Sequence, residues 1–256
     1  MRFFLAFFKK EWLQRLRTGR LWIFAGVFVL LGIMNPAVAY LTPWLMETLS
    51  ESLEASGMVV QSVQADALAS WVQFYKNIPM GLIVFMVLES SSFTGEYRSG
   101  TLILTLTKGM PRYQVVLSKA LVPLVIWSAG YWLCYGITWG SNALLWDNGI
   151  AFNLGSAAFL WWLLGCWTIG LCILASTLFS SYVGVLLSIG GGFLGVYLLS
   201  LLPKVYPYCP TSLMDGASLI YGLSSPEDYT KAAVVAAVSF LICLIAAIPV
   251  FNKKSL

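Results

Sequence analysis

The sequence predicts an all-α polytopic membrane protein that crosses the bilayer six times, with both termini in the cytoplasm. Three observations predict this fold class. The 256-residue chain is 59% hydrophobic and only 10% charged, whereas soluble domains carry about 25% charged residues. It contains six apolar runs of spanning length, and its lysines and arginines fall mostly on one side of those runs. A single transmembrane domain over residues 1–256 is therefore expected.

Each apolar run is long enough to form a spanning helix, since roughly 20 residues cross the hydrocarbon core. Pro36 interrupts the first run, and membrane helices tolerate a proline where neighbouring groups satisfy the freed carbonyl. The first run is longer than the 7–15-residue apolar core of a signal peptide and follows about 20 residues of basic sequence, so we expect it to be retained. The predicted spans lie near residues 21–41, 74–93, 120–146, 155–179, 183–202 and 232–251.

The distribution of positive charge predicts the orientation. With both termini inside, 12 of the 15 lysines and arginines lie on the cytoplasmic side. The three on the outer side are Lys76, Lys204 and Lys231. Because lysine and arginine are retained on the cytoplasmic side, this asymmetry places the segment between the second and third spans inside the cell.

Several classes of function lack the residues they require. The chain has no histidine, which excludes HExxH zinc proteolysis and serine–histidine chemistry. It has no GxxxxGK[ST] phosphate loop, so ATP-driven work needs another subunit. The five cysteines suggest buried thiols rather than a redox or metal framework. We expect no cofactor, metal site or nucleic-acid partner for this chain.

The cytoplasmic segment 94–119 is predicted to form a short helix, a turn and a second helix. "EYRSGT" leads into a short apolar stretch, Leu102 to Leu106, and "KGMPR" is a turn signal. Pro111 fits the first turn of a helix that begins near Arg112 and continues into the third span. The simpler alternative is a charged hairpin that only enforces orientation.

The order of residues in this segment resembles the ABC-2 type permeases, the membrane subunits of bacterial ABC exporters. The shared pattern is a glutamate after the second span, a Gly-Thr pair, an apolar stretch, a Pro-Arg pair and a lysine entering the third span. The positions are Glu96, Gly100, Thr101, Pro111, Arg112 and Lys119. The resemblance extends over nearly the whole chain and implies a type V exporter-like permease fold.

The resemblance implies a function and a set of partners. Segment 94–119 would form a coupling helix seated on an ATPase subunit, with Glu96 at its head. The residues assigned to ATPase coupling are Glu96, Arg98, Gly100, Thr101, Pro111 and Arg112. Two permease chains, identical or homologous, would assemble with two ATPase subunits that hold ATP and Mg, in a bacterial cytoplasmic membrane. The cargo would be hydrophobic or amphipathic: a peptide such as a bacteriocin or toxin, a lipid or a drug.

Two other classes of function stay open at this point. A secondary transporter needs ionisable groups within the membrane, and Glu89 is the one carboxylate predicted within a span. We expect Glu89 to reach the membrane edge or to pair with Arg98 or Lys119, with a proton relay as the alternative. A membrane enzyme would need a nucleophile and a base, and the absence of histidine leaves few options.

Glycine and tryptophan patterns suggest where helices pack and where cargo passes. Gly136 and Gly140 in the third span, and Gly191 and Gly195 in the fifth, are spaced four apart and predict close helix packing. Bending of the fifth span is the alternative for the second pair. Three tryptophans lie deep in the fourth span and are candidates for lining a path. They are Trp161, Trp162 and Trp167.

The segments outside the spans also carry predictions. Residues 1–20 are expected to form a cytoplasmic interfacial helix that buries Phe4, Phe7 and Phe8 in the membrane and directs basic residues to lipid headgroups, although plain topogenic charge is the alternative. Residues 44–58 predict a helix at the outer surface. Residues 203–229 are too apolar for a solvent loop, and short re-entrant helices are expected there.

Overall fold

The computed structural model describes residues 2–54, 65–107 and 109–254, and in those ranges it consists of helices joined by short turns, with no strand. The α-helices are α1 (Arg2–Arg17), α2 (Arg20–Glu54), α3 (Ala67–Ser99), α4 (Thr101–Thr107), α5 (Arg112–Leu145), α6 (Leu154–Leu178), α7 (Tyr182–Ser200), α8 (Gly216–Ile220) and α9 (Thr230–Lys253). Short 3-10 turns cover Asn148–Ile150, Tyr206–Tyr208, Pro210–Met214 and Pro226–Tyr229.

Six of the helices in the described ranges are long and apolar enough to cross a membrane: α2, α3, α5, α6, α7 and α9. Each coincides with a predicted span, which confirms the all-α class with six spans; the orientation of the termini stays a prediction. The helices α2, α3 and α5 extend well beyond the predicted apolar runs, because polar residues at their ends continue the helical turn. The helix predicted within 44–58 is the last part of α2, which continues through Pro36 and Pro43; residues 55–64 lie outside the described residues.

The core is built around Trp127 on α5, which is fully buried. Its indole nitrogen donates a hydrogen bond to the carbonyl of Trp162 on α6 (3.1 Å). Its ring packs edge-on against Phe28 of α2 (5.8 Å between centroids) and at a tilt against Phe85 of α3 (5.6 Å). Gly165 permits this contact, since a Cβ there would overlap the Trp127 ring. One aromatic side chain therefore holds four spans together.

The predicted glycine pairs do not mediate packing within the described part of the chain. A Cβ added at Gly136, Gly140, Gly191 or Gly195 would meet no atom within 4 Å. Close approach occurs instead at glycines that face large aromatic rings, such as Gly130, where a Cβ would overlap Phe24. The spacing of glycines marks a smooth helix face, but the neighbouring helix decides whether that face is covered.

The adjacent spans α6 and α7 differ sharply in burial. In the most apolar 18-residue stretch of each helix, 72% of α6 is buried against 11% of α7. Only Val185 and Ile189 of α7 are buried. Exposed apolar side chains on α7 include Leu187 at 71% and Leu194 at 56%. The helix α6 lies at the centre of the bundle, and α7 lies at its edge.

The segment between α7 and α9 forms short helical turns, as predicted, and packs against the ends of the spans. Leu213 and Ile220 are buried, and the indole nitrogen of Trp161 on α6 donates to the Met214 carbonyl (3.0 Å). The Phe152 amide donates to the Ile220 carbonyl (3.0 Å). The entry of the segment between α7 and α9 into the membrane stays a prediction.

Candidate functional site

The helix α1 directs its charged face inward. Phe7, Glu11 and Arg15 are spaced four residues apart, so they lie on one face of the helix, and all three are buried. The outward face carries Leu5 and Leu13, which are 59% and 38% exposed. The prediction that the phenylalanines dip into the lipid interface is therefore wrong for Phe7, because this face of α1 packs against the spans.

Glu11 is the centre of a buried ion cluster. Its carboxylate accepts from Lys119 Nζ of α5 at 3.2 and 3.3 Å. It also accepts from Arg15 Nη1 at 3.0 Å and Lys10 Nζ at 3.2 Å. Glu11 and Lys119 are each only 1% exposed, so their attraction is weakly screened by solvent.

Glu89 of α3 is held by Arg15 through a two-point contact. Arg15 Nε donates to one carboxylate oxygen at 2.9 Å, and Nη2 donates to the other at 2.6 Å. The same Nη2 donates to Ser92 Oγ at 3.1 Å. The expectation that Glu89 pairs with Arg98 or Lys119 is thus wrong. The guanidinium fork of Arg15 matches the planar carboxylate, and α1 brings it there.

Glu96 completes the cluster at the end of α3. Its Oε2 lies 3.0 Å from Lys119 Nζ, and its Oε1 accepts from Lys10. Lys119 also donates to the Ser92 carbonyl (3.1 Å) and lies 4.8 Å from the centroid of the Phe93 ring. The ion cluster consists of three cations and three carboxylates from three helices: Lys10, Glu11, Arg15, Glu89, Glu96 and Lys119.

The charges of the cluster balance, and this sets the pKa of its members on α1. Burial alone would raise the pKa of Glu11, but Lys119, Arg15 and Lys10 outweigh it and lower that pKa to about 2. Burial opposes the charge of Lys10, yet Glu11 and Glu96 raise its pKa above the ordinary value. Breaking one buried pair leaves its partner charge uncompensated in a low dielectric. The cluster therefore fastens α1 to α3 and α5.

The helix α3 continues through Glu96 and ends at Ser99, which corrects the expectation that Glu96 heads the short helix. Gly100 adopts a left-handed backbone (φ 67°) that ends α3, a conformation that glycine adopts without strain. Ser99 and Thr101 share a hydrogen bond between their hydroxyls (2.9 Å). Arg98 is exposed, on the opposite side of the helix end from the buried Glu96. The turn at Gly100 allows α4 to begin at once.

The helix α4 presents a small apolar surface. Leu102 is buried against the bundle, whereas Ile103 is 44% exposed and Leu104 is 64% exposed. The apolar stretch predicted from the sequence contains the leucines Leu102, Leu104 and Leu106. Of these three leucines, only Leu104 is exposed, and Ile103 is exposed beside it whereas Leu102 is buried. The term coupling segment is used below for residues 98–112, of which Lys108 lies outside the described residues.

The coupling segment ends at the start of α5. The helix α5 begins at Arg112, as predicted, and Pro111 occupies the position just before it rather than its first turn. Arg112 is half-buried, and its Nη1 donates to the carbonyls of Phe251 (2.6 Å), Asn252 (3.0 Å) and Lys254 (3.0 Å). Arg112 therefore ties this end of the coupling segment to the carboxyl end of α9.

The three tryptophans predicted to line a path have different surroundings. Trp161 lines an apolar groove of about 560 Å³ between α3, α6 and α7. Trp162 donates to Ser128 Oγ at 3.0 Å. Trp167 is buried and packs against Phe193 of α7 (5.8 Å between centroids). Of the three, only Trp161 borders this open groove.

Sequence reasoning missed the role of α1. The prediction directs the basic residues of 1–20 to lipid headgroups, whereas Lys10 and Arg15 pair with carboxylates in the ion cluster. The available signal was the four-residue spacing of Glu11 and Arg15 behind Phe7, which places opposite charges on an apolar face. The described residues contain no group of three or more His, Cys, Asp or Glu side chains with metal-binding geometry.

Comparison with known proteins identifies relatives. A family model described as "ABC-2 family transporter protein" matches residues 5–203. The chain is also similar to "Uncharacterized transmembrane protein YxlG" of Bacillus subtilis (strain 168), with 24% identity over 229 residues, which cover 86% of this chain and 85% of the relative. No solved structure matches the chain. The family match begins within α1 and extends past the end of α7, and it includes the ion cluster and the coupling segment.

Proposed function

We propose that this chain, which belongs to the ABC-2 transporter family, exports a hydrophobic or amphipathic cargo. Its family membership makes it a membrane-spanning subunit of an ABC transporter, and such subunits work with an ABC ATPase. We further propose that the ATPase holds ATP and Mg, that this chain holds no cofactor, and that the complex resides in a bacterial cytoplasmic membrane.

The observation that carries the proposal is the exposed apolar surface of α4 at the end of two spans. Ile103 and Leu104 stand outside the helical bundle, and Arg98 and Thr101 are exposed beside them. A small apolar centre with a polar rim is the usual composition of a protein interface. We assign this surface to the ATPase, with Arg98, Gly100, Thr101 and Pro111 shaping it.

The ion cluster supports a role for the coupling segment in transmitting force. Glu96 lies four residues before Gly100 and binds Lys10 of α1 and Lys119 of α5. A displacement of α4 would pull on Glu96 and so on three helices together. Glu96 is only 2% exposed, so we propose that it transmits movement within this chain and that neighbouring residues contact the ATPase.

The exposure of α7 supports a second permease chain, identical or homologous, in a complex with two ATPase subunits. The apolar side chains of α7 and the open faces at Gly191 and Gly195 offer a smooth surface for a neighbouring helix. Gly136 and Gly140 on α5 are open in the same way. Membrane lipid would cover the apolar surface that the second chain leaves free.

The proposed cargo class rests on the groove that Trp161 borders. It is lined mainly by apolar side chains of α3 and α7, including Leu82, Met86, Ile189 and Phe193. A groove of this composition favours apolar over charged molecules, since burying an unpaired charge is costly. A peptide such as a bacteriocin or toxin, a lipid or a drug would satisfy this chemistry.

Copurification tests the ATPase assignment. The tagged chain is expressed with the genes that flank its own, and the bound ATPase is quantified. Leu104→Asp should reduce the retained ATPase at least about tenfold, since central interface residues carry most of the binding energy. The matched control is Leu223→Asp, a substitution at an 80% exposed leucine in the segment between α7 and α9. Failure of the wild-type chain to retain an ATPase, or equal retention by both variants, contradicts the proposal.

A further inference from the structure

Arg112 caps the carboxyl end of α9, far from its own helix in sequence. The last carbonyls of a helix have no partner within the helix, and they form the negative end of its dipole. Arg112 Nη1 lies 2.6 to 3.0 Å from the carbonyl oxygens of Phe251, Asn252 and Lys254. The cation thus supplies both the donor and the charge that this helix end lacks.

Lys254 makes the corresponding contact at the end of α6. Its Nζ donates to the carbonyl of Thr177 at 3.0 Å and lies 4.2 Å from the centroid of the Tyr97 ring. The Tyr97 hydroxyl in turn donates to the Ser176 carbonyl at 3.3 Å. Two cations therefore bind the carboxyl ends of two spans at one place.

The ends of four helices meet at this junction: the end of α3, the start of α5, and the ends of α6 and α9. Phe251 is fully buried at its centre. Its ring packs edge-on against Phe93 of α3 (6.0 Å between centroids), and the Arg112 guanidinium lies 5.5 Å from its centroid. The carbonyls that Arg112 binds are thus held in place by side-chain packing.

We propose that Arg112 is a positioning residue that makes α9 move together with the coupling segment. This inference rests on the proposed function, in which the ATPase displaces α4. The ion cluster connects that displacement to α1, and Arg112 connects it to α9 through separate contacts. A movement of the coupling segment is then transmitted to α1 through the ion cluster and to α9 through Arg112. Arg112 contributes through α9 rather than by contacting the ATPase directly.

The first experiment measures hydrogen–deuterium exchange in the isolated full-length chain, with no ATPase present. In Arg112→Gln, the amides of residues 250–254 should exchange on the order of tenfold faster, as expected for the loss of charge-assisted hydrogen bonds. The matched control is Arg98→Gln, which removes an exposed arginine from the other end of the coupling segment. Equal exchange rates at residues 250–254 in the two variants overturn the inference.

The second experiment compares hydrogen–deuterium exchange in the wild-type chain bound to its ATPase, with and without a non-hydrolysable ATP analogue, and repeats the comparison in Arg112→Gln. Nucleotide is expected to change the rate of amide hydrogen–deuterium exchange both in residues 101–107 and in residues 250–254. A change confined to residues 101–107 overturns the role of Arg112 and leaves the ATPase assignment standing. No change in either range contradicts the proposed function itself. In Arg112→Gln, the nucleotide-dependent change should persist at 101–107 and be lost at 250–254.

Discussion

The two ends of the helical bundle are held together by different chemistry. At one end, ion pairs join α1, α3 and α5, and Glu11 and Lys119 are only 1% exposed. At the opposite end, neutral side chains donate to backbone carbonyls, as Trp161 does to Met214 (3.0 Å) and Tyr131 to Ala158 (2.7 Å). Breaking a neutral hydrogen bond leaves a dipole unpaired, whereas breaking a buried ion pair leaves a charge uncompensated. The end with the coupling segment should therefore resist separation of its helices more strongly.

The largest effect is expected from Glu11→Ala, which leaves the cluster with three cations and two carboxylates. The free energy of unfolding should fall by about 3–5 kcal/mol, the usual result of removing one partner from a buried ion pair. Unfolding by SDS in mixed micelles measures this change. The matched control at the opposite end is Asp228→Asn, an exposed capping residue, which should cost less than about 1 kcal/mol.

A double substitution sharpens the same prediction. Glu11→Leu combined with Lys119→Leu removes one acid and one base, which leaves Arg15 with Glu89 and Lys10 with Glu96. Much of the stability lost in Glu11→Ala should return, since a buried pair can be replaced by apolar side chains at little cost. A double variant less stable than Glu11→Ala would show that packing, rather than charge balance, holds α1.

Acid should weaken the ion-cluster end only at low pH. The pKa of Glu11 falls from an ordinary 4.5 to about 2 in the folded chain. The stabilisation is therefore complete above about pH 4.5 and is lost as the pH falls toward 2, a total of about 3 kcal/mol. The difference in unfolding free energy between wild type and Glu11→Gln, followed from pH 7 to pH 2, isolates this group. A difference that shrinks already between pH 7 and pH 5 would contradict the prediction.

A smaller effect is expected at the opposite end from Trp161→Phe. The ring is largely retained, but the Met214 carbonyl loses its donor, which should cost about 1–2 kcal/mol of unfolding free energy. Trp22→Phe is the control, because Trp22 is 69% exposed and should change stability little. A cost for Trp161→Phe as large as that for Glu11→Ala would remove the contrast between the two ends.

The smallest effect is expected from salt. Buried pairs are screened much less than exposed ones, so raising the ionic strength tenfold should lower the free energy of unfolding by less than about 0.5 kcal/mol. The measurement is the SDS midpoint at low and high sodium chloride, with detergent concentration held constant. A fall of several kcal/mol would mean that solvent reaches the buried pair of Glu11 and Lys119.

The spans could be predicted from the sequence because hydropathy reports on the solvent that surrounds a helix. All six were found, as were the helical turns of 203–229 and the start of α5 at Arg112. Hydropathy does not report which helices become neighbours. The open faces at Gly136 and Gly191, and the contrast between α6 and α7, depend on contacts that a single-sequence pattern does not contain.

The partners within the ion cluster could not be predicted from the sequence for a related reason. Charged residues before a first span are normally explained by topology, and the predicted partners of Glu89, Arg98 and Lys119, both lie in the segment that follows its span. Its partner, Arg15, is 74 positions away. Only the docking of α1 against the spans brings the two together. Likewise, Arg112 fits the coupling pattern by its position, but its contacts with α9 depend on the fold.

The ion cluster also imposes an order on the synthesis of the chain. Glu11 and Lys119 are 108 positions apart, so Glu11 leaves the ribosome long before its main partner. Until then its carboxylate can pair only with Lys10 and Arg15 of its own helix, and Arg15 lacks Glu89 until α3 has been made, so α1 has no ionic partner in the spans while the earliest of them is inserted. It can take its final place only after the third span has arrived. The first helix to be made is thus among the later ones to dock.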